Sequence, residues 1–389
     1  MASGIGAAFS AGDLFHLFVS FEILLMASYV LLTLDGNAAQ VRTGTTYVVV
    51  NTIESVVLVT AVGMVYAATG TLSMAELPAR LAELSDGMRT TLQLLLLIAF
   101  GLKAAVFPLF FWLPDAYPSA RSPITAVFAG LLTKIGVYAI LRTQTLLFDG
   151  ANSTLLLWIG GLTMVIGVLG AIAQNEIKRI LSFNIVSKVG FMITGIAIGG
   201  PAAIAATIYF VLSHVPTKAS LFLVEGLIEH SAGSSGLDKL SGLVHRSGVL
   251  GALFLLSALS LSGIPPFSGF VAKLGLVTAG LDAGHHVAVA VMIVTSLLTL
   301  VSMMKIWLGA FWGPAADLEL RPSTVGAAAN DHRTRWRWPV SMAGATVVMV
   351  GVGLALAICA GPVYALCERA ATSVVDADQY VRTVLGERP

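Results

Sequence analysis

Nine ionisable side chains stand inside stretches that are otherwise apolar: Glu22 in HLFVSFEILLMASYVLL, Glu54 in VVVNTIESVVLV, Lys103 in LIAFGLKAAVF, Lys134 in FAGLLTKIGVYAI, Lys188 in NIVSKVGFMI, His214, Lys218 and Glu225 in YFVLSHVPTKASLFLVEG, and Lys273 in SGFVAKLGLV. Side chains of these types in such surroundings do acid–base chemistry without covalent catalysis. A lysine near a glutamate takes up or releases a proton as the carboxylate's distance or charge changes, because burial disfavours the ammonium and a carboxylate favours it. Arginine does not deprotonate in proteins and would be useless in this role, and at depth the sequence uses lysine. Histidine titrates nearest neutrality and suits a relay through waters.

Each such residue at the centre of a membrane helix costs about 2.5 to 3.5 kcal/mol on insertion scales, so nine require pairing or a hydrated interior. Buried ion pairs that only hold helices together are the plain alternative for Glu22, Lys103, Lys134 and Lys273. A packing cluster is the alternative for Lys188, His214 and Lys218, the last two being four apart on one helix face. For Glu54 and Glu225, snorkelling or a helix–helix hydrogen bond competes evenly with a relay role. Lys305, near a helix end, reads as an interfacial anchor.

The chain that must position these groups has 389 residues, 57% hydrophobic and only 11% charged, against about 25% charged in an ordinary globular domain. The net charge of +1 gives no footprint for nucleic acid. Two cysteines, Cys359 and Cys367, form no metal or redox motif, so no cofactor or metal is expected. The opening MASGIGAAFSAGDLFHLF has no basic n-region and carries Asp13 within it, so it reads as mature sequence.

A membrane-crossing helix needs about 20 largely apolar residues. Ten stretches qualify: 10–34, 45–67, 90–113, 123–147, 154–174, 180–199, 202–229, 247–281, 285–312 and 338–361. They are too long and too continuously apolar for barrel strands, which predicts an all-α polytopic membrane protein. Loops after the odd-numbered helices hold ten basic residues, Lys178 and Arg179 among them, against six on the other side. That bias predicts a cytoplasmic first loop and an external C-terminus. Trp112, Trp307, Trp312, Trp336 and Trp338 fall near helix ends, as an aromatic belt would. The polar run 313–338, with His332, Arg333, Arg335 and Arg337, reads as a cytoplasmic loop facing anionic lipid.

Two segments are predicted to be broken. Pro108 interrupts 90–113, and Gly263, Pro265, Pro266 and Gly269 interrupt 247–281. Paired interruptions in two halves of a membrane protein point to an ion site between structural repeats, and each has a lysine near it, Lys103 and Lys273.

The strings GDLFHLFVSFEILLMASYVLL, FGLKAAVFPLFFWLPDAYPSARSPITAVFAGLLTKIGVYAILR, AQNEIKRILSFNIVSKVGFMITG and LSLSGIPPFSGFVAKLGL together resemble the antiporter-like subunits shared by Mrp cation/proton antiporters and respiratory complex I, the D subunit of Mrp antiporters most of all. The resemblance covers nearly the whole chain. It implies inverted five-helix repeats, here 1–150 and 151–312, followed by 313–389 with the polar loop, a final helix and the tail. It implies a midplane axis in which Glu22 pairs with Lys103, Lys134 links the halves, Lys188 and His214 with Lys218 relay, and Lys273 ends the path. The resemblance implies about fourteen helices in a usual member. The resemblance therefore implies that three to four N-terminal helices are truncated here or supplied by another polypeptide, leaving the first repeat incomplete. Glu54 and Glu225 fall where small or apolar residues are expected. The implied function is proton translocation within a multi-subunit sodium/proton antiporter of the cell's inner (plasma) membrane, with the other subunits, protons, sodium and lipid as partners. A proton-pumping subunit of complex I or a related hydrogenase-type complex, and a structural paralogue without transport, are the competing expectations.

Overall fold

The computed structural model describes residues 1–313 and 338–386; the polar run with His332, Arg333, Arg335 and Arg337 lies outside them. The described residues form helices α1 (Ala2–Phe9), α2 (Leu14–Leu32), α3 (Ala38–Thr69), α4 (Leu77–Ala82), α5 (Asp86–Ala104), α6 (Leu113–Ser119), α7 (Ser122–Val127) and α8 (Thr133–Leu146). There follow α9 (Ser153–Ala173), α10 (Ile177–Ile198), α11 (Gly200–Ala232), α12 (Leu243–Arg246), α13 (Gly248–Ser262), α14 (Ser268–Asp282), α15 (His286–Ile306), α16 (Val340–Ile358), α17 (Ala360–Val375) and α18 (Ala377–Leu385). Among the described residues eight continuous helical stretches, with α7–α8 taken as one, are long and apolar enough to cross a membrane.

The two remaining expected spans are the broken ones. α5 ends at Ala104, Ala105 takes the left-handed conformation, and the chain turns through Pro108 before α6. The interrupted backbone at that depth finds partners: Trp112 Nε1 donates to the Leu102 carbonyl at 3.1 Å, and Phe107 N–H donates to Thr163 Oγ1 at 2.9 Å. Irregular backbone persists in a membrane only when buried in protein and satisfied in this way. The second break divides 247–281 into α13 and α14, fifteen residues each. Gly263 sits there at φ +82°, and a Cβ on Gly269 would lie 1.8 Å from the Ser260 carbonyl oxygen. Only glycine permits that approach.

α10 is the centre of the bundle, with 94% of its apolar window buried. Small residues let α9 lie against it backbone to backbone: a Cβ on Gly167 would stand 2.4 Å from Ser187 N, and one on Gly190 2.5 Å from Met164 N. The outer faces of α2, α3, α9, α15 and α16 expose valine, leucine and isoleucine, as lipid-facing helices do.

One pairing pattern occurs twice. Leu14 N–H donates to the Leu72 carbonyl and Met74 N–H to Gly12, clamping the start of α2 to the end of α3; Ile177 to Ser235 and Leu237 to Asn175 do the same for α10 and α11, at a constant offset of 163 residues.

The C-terminal elements α17 and α18 were not expected from the sequence, because they are amphipathic rather than uniformly apolar. α17 packs along α11, and Arg142 of α8 lies 4.1 Å from the Tyr380 ring of α18.

Candidate functional site

The buried charges form a file through the interior, and the first group departs from expectation. Lys103 lies in the last turn of α5 and is 1% exposed. Its ion pair is with Glu54 of α3, Nζ to Oε2 3.6 Å, not with Glu22. Its ammonium also donates to Asn51 Oδ1 at 3.4 Å and lies 5.8 Å from the Phe21 ring. Asn51 is aimed by its own bond to the Tyr47 carbonyl, 2.8 Å. Glu22 of α2 is half-buried, and its carboxylate accepts from Ser55 Oγ. The cause is helix rotation: Asn51 and Glu54 share the face of α3 turned to α5, while Ser55 looks toward α2. Glu54 is fully buried, so snorkelling does not describe it.

Lys134 follows a π-helical turn, Phe128–Leu132, between α7 and α8. Such turns disturb the i→i−4 ladder, and Lys134 Nζ donates to the carbonyl of Ala129 and to Thr133 Oγ1 at 3.3 Å. Gly136, two residues on, admits α5: a Cβ there would lie 2.5 Å from Ala104 N.

His214, Lys188 and Lys273 meet in a small interior cavity lined also by Phe210, Ser213 and Ser260, with about 10 Å³ of water-accessible space, roughly room for one water. Lys188 Nζ donates to Thr299 Oγ1 of α15 at 2.8 Å. Lys273 Nζ caps the broken helix by donating to the Ser262 carbonyl at 2.5 Å. The two ammonium groups share one aromatic ring, Phe191, at 4.8 and 5.4 Å from its centre. Both ring nitrogens of buried His214 lack a protein partner. Pro216, which the sequence reading did not use, interrupts the α11 ladder next to it.

Lys218 shares the helix face of His214 but reaches elsewhere, donating to the Leu181 carbonyl of α10 at 3.0 Å. Lys134 lies within electrostatic range of both His214 and Lys218.

Two more residues depart from the expectation. Lys178, counted with the loops, is helical and 4% exposed, and it pairs with Glu229 at 2.6 Å and Glu225 at 4.0 Å. Glu225 is fully buried and also accepts from Ser122 Oγ at 3.0 Å. The signal for Glu225 was visible in principle, because an acidic residue two turns from Lys218 inside an apolar helix needs a polar or charged partner. Lys305 stands at the end of α15 and donates to the Ile172 and Gln174 carbonyls at 2.8 and 2.7 Å, tying α15 to the end of α9. Among the described residues no group of three or more His, Cys, Asp or Glu side chains is arranged to hold a metal ion.

The chain that carries these side chains has relatives. Residues 11–299 match the family model described as NADH:quinone oxidoreductase/Mrp antiporter, TM. The chain is 44% identical to the D subunit of the Na(+)/H(+) antiporter of Alkalihalophilus pseudofirmus, over 82% of this chain and 66% of that protein. It is 41% identical to the D subunit of the Na(+)/H(+) antiporter of Bacillus subtilis, over 80% of this chain and 64% of that protein. It therefore spans just under two thirds of the length of these relatives. Among solved structures, the Mrp complex from Dietzia sp. DQ12-45-1b contains a chain that superposes with a TM-score of 0.89 at 35% identity, covering 98% of this chain and 78% of that one. The chain belongs to the NADH:quinone oxidoreductase/Mrp antiporter transmembrane family.

Proposed function

We propose that the chain translocates protons as the D-type membrane subunit of a multi-subunit sodium/proton antiporter, in the plasma membrane of a bacterium and with its C-terminus outside. The observation that carries this reading is the file of buried bases from Lys103 with Glu54, past Lys134 and Lys218, to His214, Lys188 and Lys273. Beyond Lys103, no carboxylate lies within ion-pair distance of any base in that file among the described residues. A positive charge held there is expensive, so it is suited to arriving and leaving rather than staying. Each transfer breaks an N–H bond on one ammonium or imidazolium and forms one on the next base, through water where the cavity holds it. Glu22 takes part by its field on Glu54 and Lys103. Sodium exchange is assigned to the assembled complex.

The division into repeats, 1–150 and 151–312, belongs to the same reading and is supported by the doubled clamp at an offset of 163 residues, which sets Asn51 in correspondence with His214. The breaks at Pro108 and at Gly263, Pro265 and Pro266 serve in it as the positions that expose backbone to the file.

The test is sodium-driven discharge of a pH gradient in vesicles holding the full complex, native against Lys103→Ala. Loss of discharge with assembly intact supports the reading, and undiminished discharge makes the buried charges structural. The family model also includes membrane subunits of quinone oxidoreductases. Co-purified iron–sulfur and flavin subunits would favour that alternative, and small membrane subunits the antiporter.

A further inference from the structure

Lys178, Ser122, Glu225 and Glu229 stand off the main file, near the C-terminal end of α11, where Arg179 of α10 and Asp115 of α6 form an ion pair on the surface, 3.0 Å. Ser122 Oγ reaches both carboxylates, Glu225 at 3.0 Å and Glu229 at 3.5 Å. The cluster grades from wet to dry: the Glu229 side chain is 43% exposed, Lys178 5% and Glu225 0%. Within it Glu225 Oε1 is buried with no hydrogen-bond partner.

The geometry points to this cluster as a proton-loading branch that joins the membrane surface to Lys218, with Glu225 as its buried relay; this rests on the reading of the file as a proton path. Residues 214, 218, 225 and 229 fall on one face of α11, at spacings of four, seven and four. Glu225 lies about 10 Å along the axis from Lys218. Lys218 narrows that gap by reaching toward the same end: its ammonium sits on the Leu181 carbonyl, one turn of α10 from Lys178. The buried Ser182 hydroxyl, next in sequence to Leu181, donates to the Lys178 carbonyl at 2.8 Å.

The fold does not require this polarity. Under the internal offset of 163 residues, Lys178, Glu225 and Glu229 correspond to Phe15, Val62 and Tyr66 on α2 and α3. The same helix pair is thus built elsewhere in the chain with apolar and aromatic residues at those places. Gly226 serves the branch directly, since a Cβ there would lie 2.5 Å from Ser122 Cβ and push that hydroxyl off the carboxylates.

The transfer balances. The Glu225 carboxylic acid gives up its O–H proton, an N–H bond forms on a neutral Lys218, and the carboxylate left behind is reprotonated from the surface by way of Glu229. The charged groups facing Glu225 are Lys178 from α10, Glu176 just before that helix and Glu229 from α11, with the Ser122 hydroxyl from α7.

The test uses vesicles with the full complex, measuring sodium-driven discharge across pH 6 to 9 for native protein, Glu225→Gln, Glu225→Asp and Lys103→Ala. Expected is at least a tenfold loss in Glu225→Gln with the complex assembled, substantial recovery in Glu225→Asp, and a pH profile displaced in Glu225→Asp. Infrared difference spectra on sodium addition should show a carboxylic C=O band that Glu225→Gln removes. A native rate and profile in Glu225→Gln overturns the branch, as does equal loss of assembled complex in both Glu225 variants, which would make the cluster a packing device. Discharge that persists in Lys103→Ala instead overturns the underlying reading of the file.

Discussion

Replacing Glu54 with glutamine separates the geometry from the family resemblance, which pairs Lys103 with Glu22. The Lys103–Glu54 contact is 3.6 Å with both side chains fully buried. At an effective dielectric of about 20, that separation is worth about 4 to 5 kcal/mol of attraction. Removing one partner of a buried pair costs about 3 to 5 kcal/mol. Glutamine still offers a neutral carbonyl to the ammonium, returning about 1 kcal/mol, and Asn51 remains at 3.4 Å. A net loss of about 2 to 4 kcal/mol in holding a proton on Lys103 is about 30- to 700-fold in occupancy, at 1.4 kcal/mol per decade. Glu54→Gln is therefore expected to lower sodium-driven discharge, followed with a pH-sensitive dye in vesicles of assembled complex, by at least 30-fold. Glu22→Gln is expected to fall less, because the Glu22 carboxylate accepts from the Ser55 hydroxyl and forms no ion pair with Lys103 among the described residues. A Glu54→Gln rate within threefold of native, beside an inactive Glu22→Gln, would show that the 3.6 Å contact is a packing pair and that the partner assignment drawn from geometry is wrong.

Three further outcomes follow from the packing. Gly269→Ala puts a Cβ 1.8 Å from the Ser260 carbonyl, whereas Gly63→Ala, with open space around it, gains helix propensity; the first should lose assembled complex on size exclusion and the second should not. Lys305→Met leaves the Ile172 and Gln174 carbonyls without their charged donor, and bonds to charged groups are worth about 1.5 to 3 kcal/mol, so its melting temperature in detergent should drop, while an unchanged melt would mean water replaces the ammonium freely. The Arg121 guanidinium, just before α7 and aided by Gln40, holds the carboxyl of Asp35, in the loop between α2 and α3, below its ordinary value. A depressed folded-state pKa gives stability that is present above the unfolded value, about 3.9, and lost as pH falls through the lower folded one. The melting gap between native protein and Asp35→Asn should thus be open at neutral pH and close below about pH 4; a gap constant down to pH 2.5 would contradict the assignment.

Helix content and the positions of both breaks were legible because they rest on local properties. Apolar runs of about 20 residues need lipid, and Gly263, Pro265 and Pro266 interrupt a ladder wherever they stand. Partner choice was not legible, because it depends on how each helix is rotated. Glu22 and Glu54 both sit in apolar runs, and only the packing of α3 against α5 decides that Glu54 faces Lys103. Lys178 was misread because AQNEIKR is polar enough to resemble a loop, yet α10 begins at Ile177 and buries it at once. α17 escaped detection because Glu368 and Arg369 break its apolar run, although Cys367 and Ala371 on its inner face are buried.

The coincidence of lysines with helix irregularities has a single physical origin. An interrupted or under-wound helix leaves carbonyls without their usual N–H partners, and a helix C-terminus is a favourable place for a cation. Lys273 rests on the Ser262 carbonyl at the end of α13, and Lys134 on the Ala129 carbonyl at the π-helical turn. Lys103 stands in the last turn before the break after α5. The carbonyls hold a positive charge that has no carboxylate beside it, without neutralising it, so the charge is bound but not trapped. A carboxylate holds the proton more firmly, as Glu54 does at Lys103. The same lysine moved two turns from a break should therefore be carried only at the full insertion penalty, and the glycines and prolines at the breaks are as much part of the relay as the bases they support.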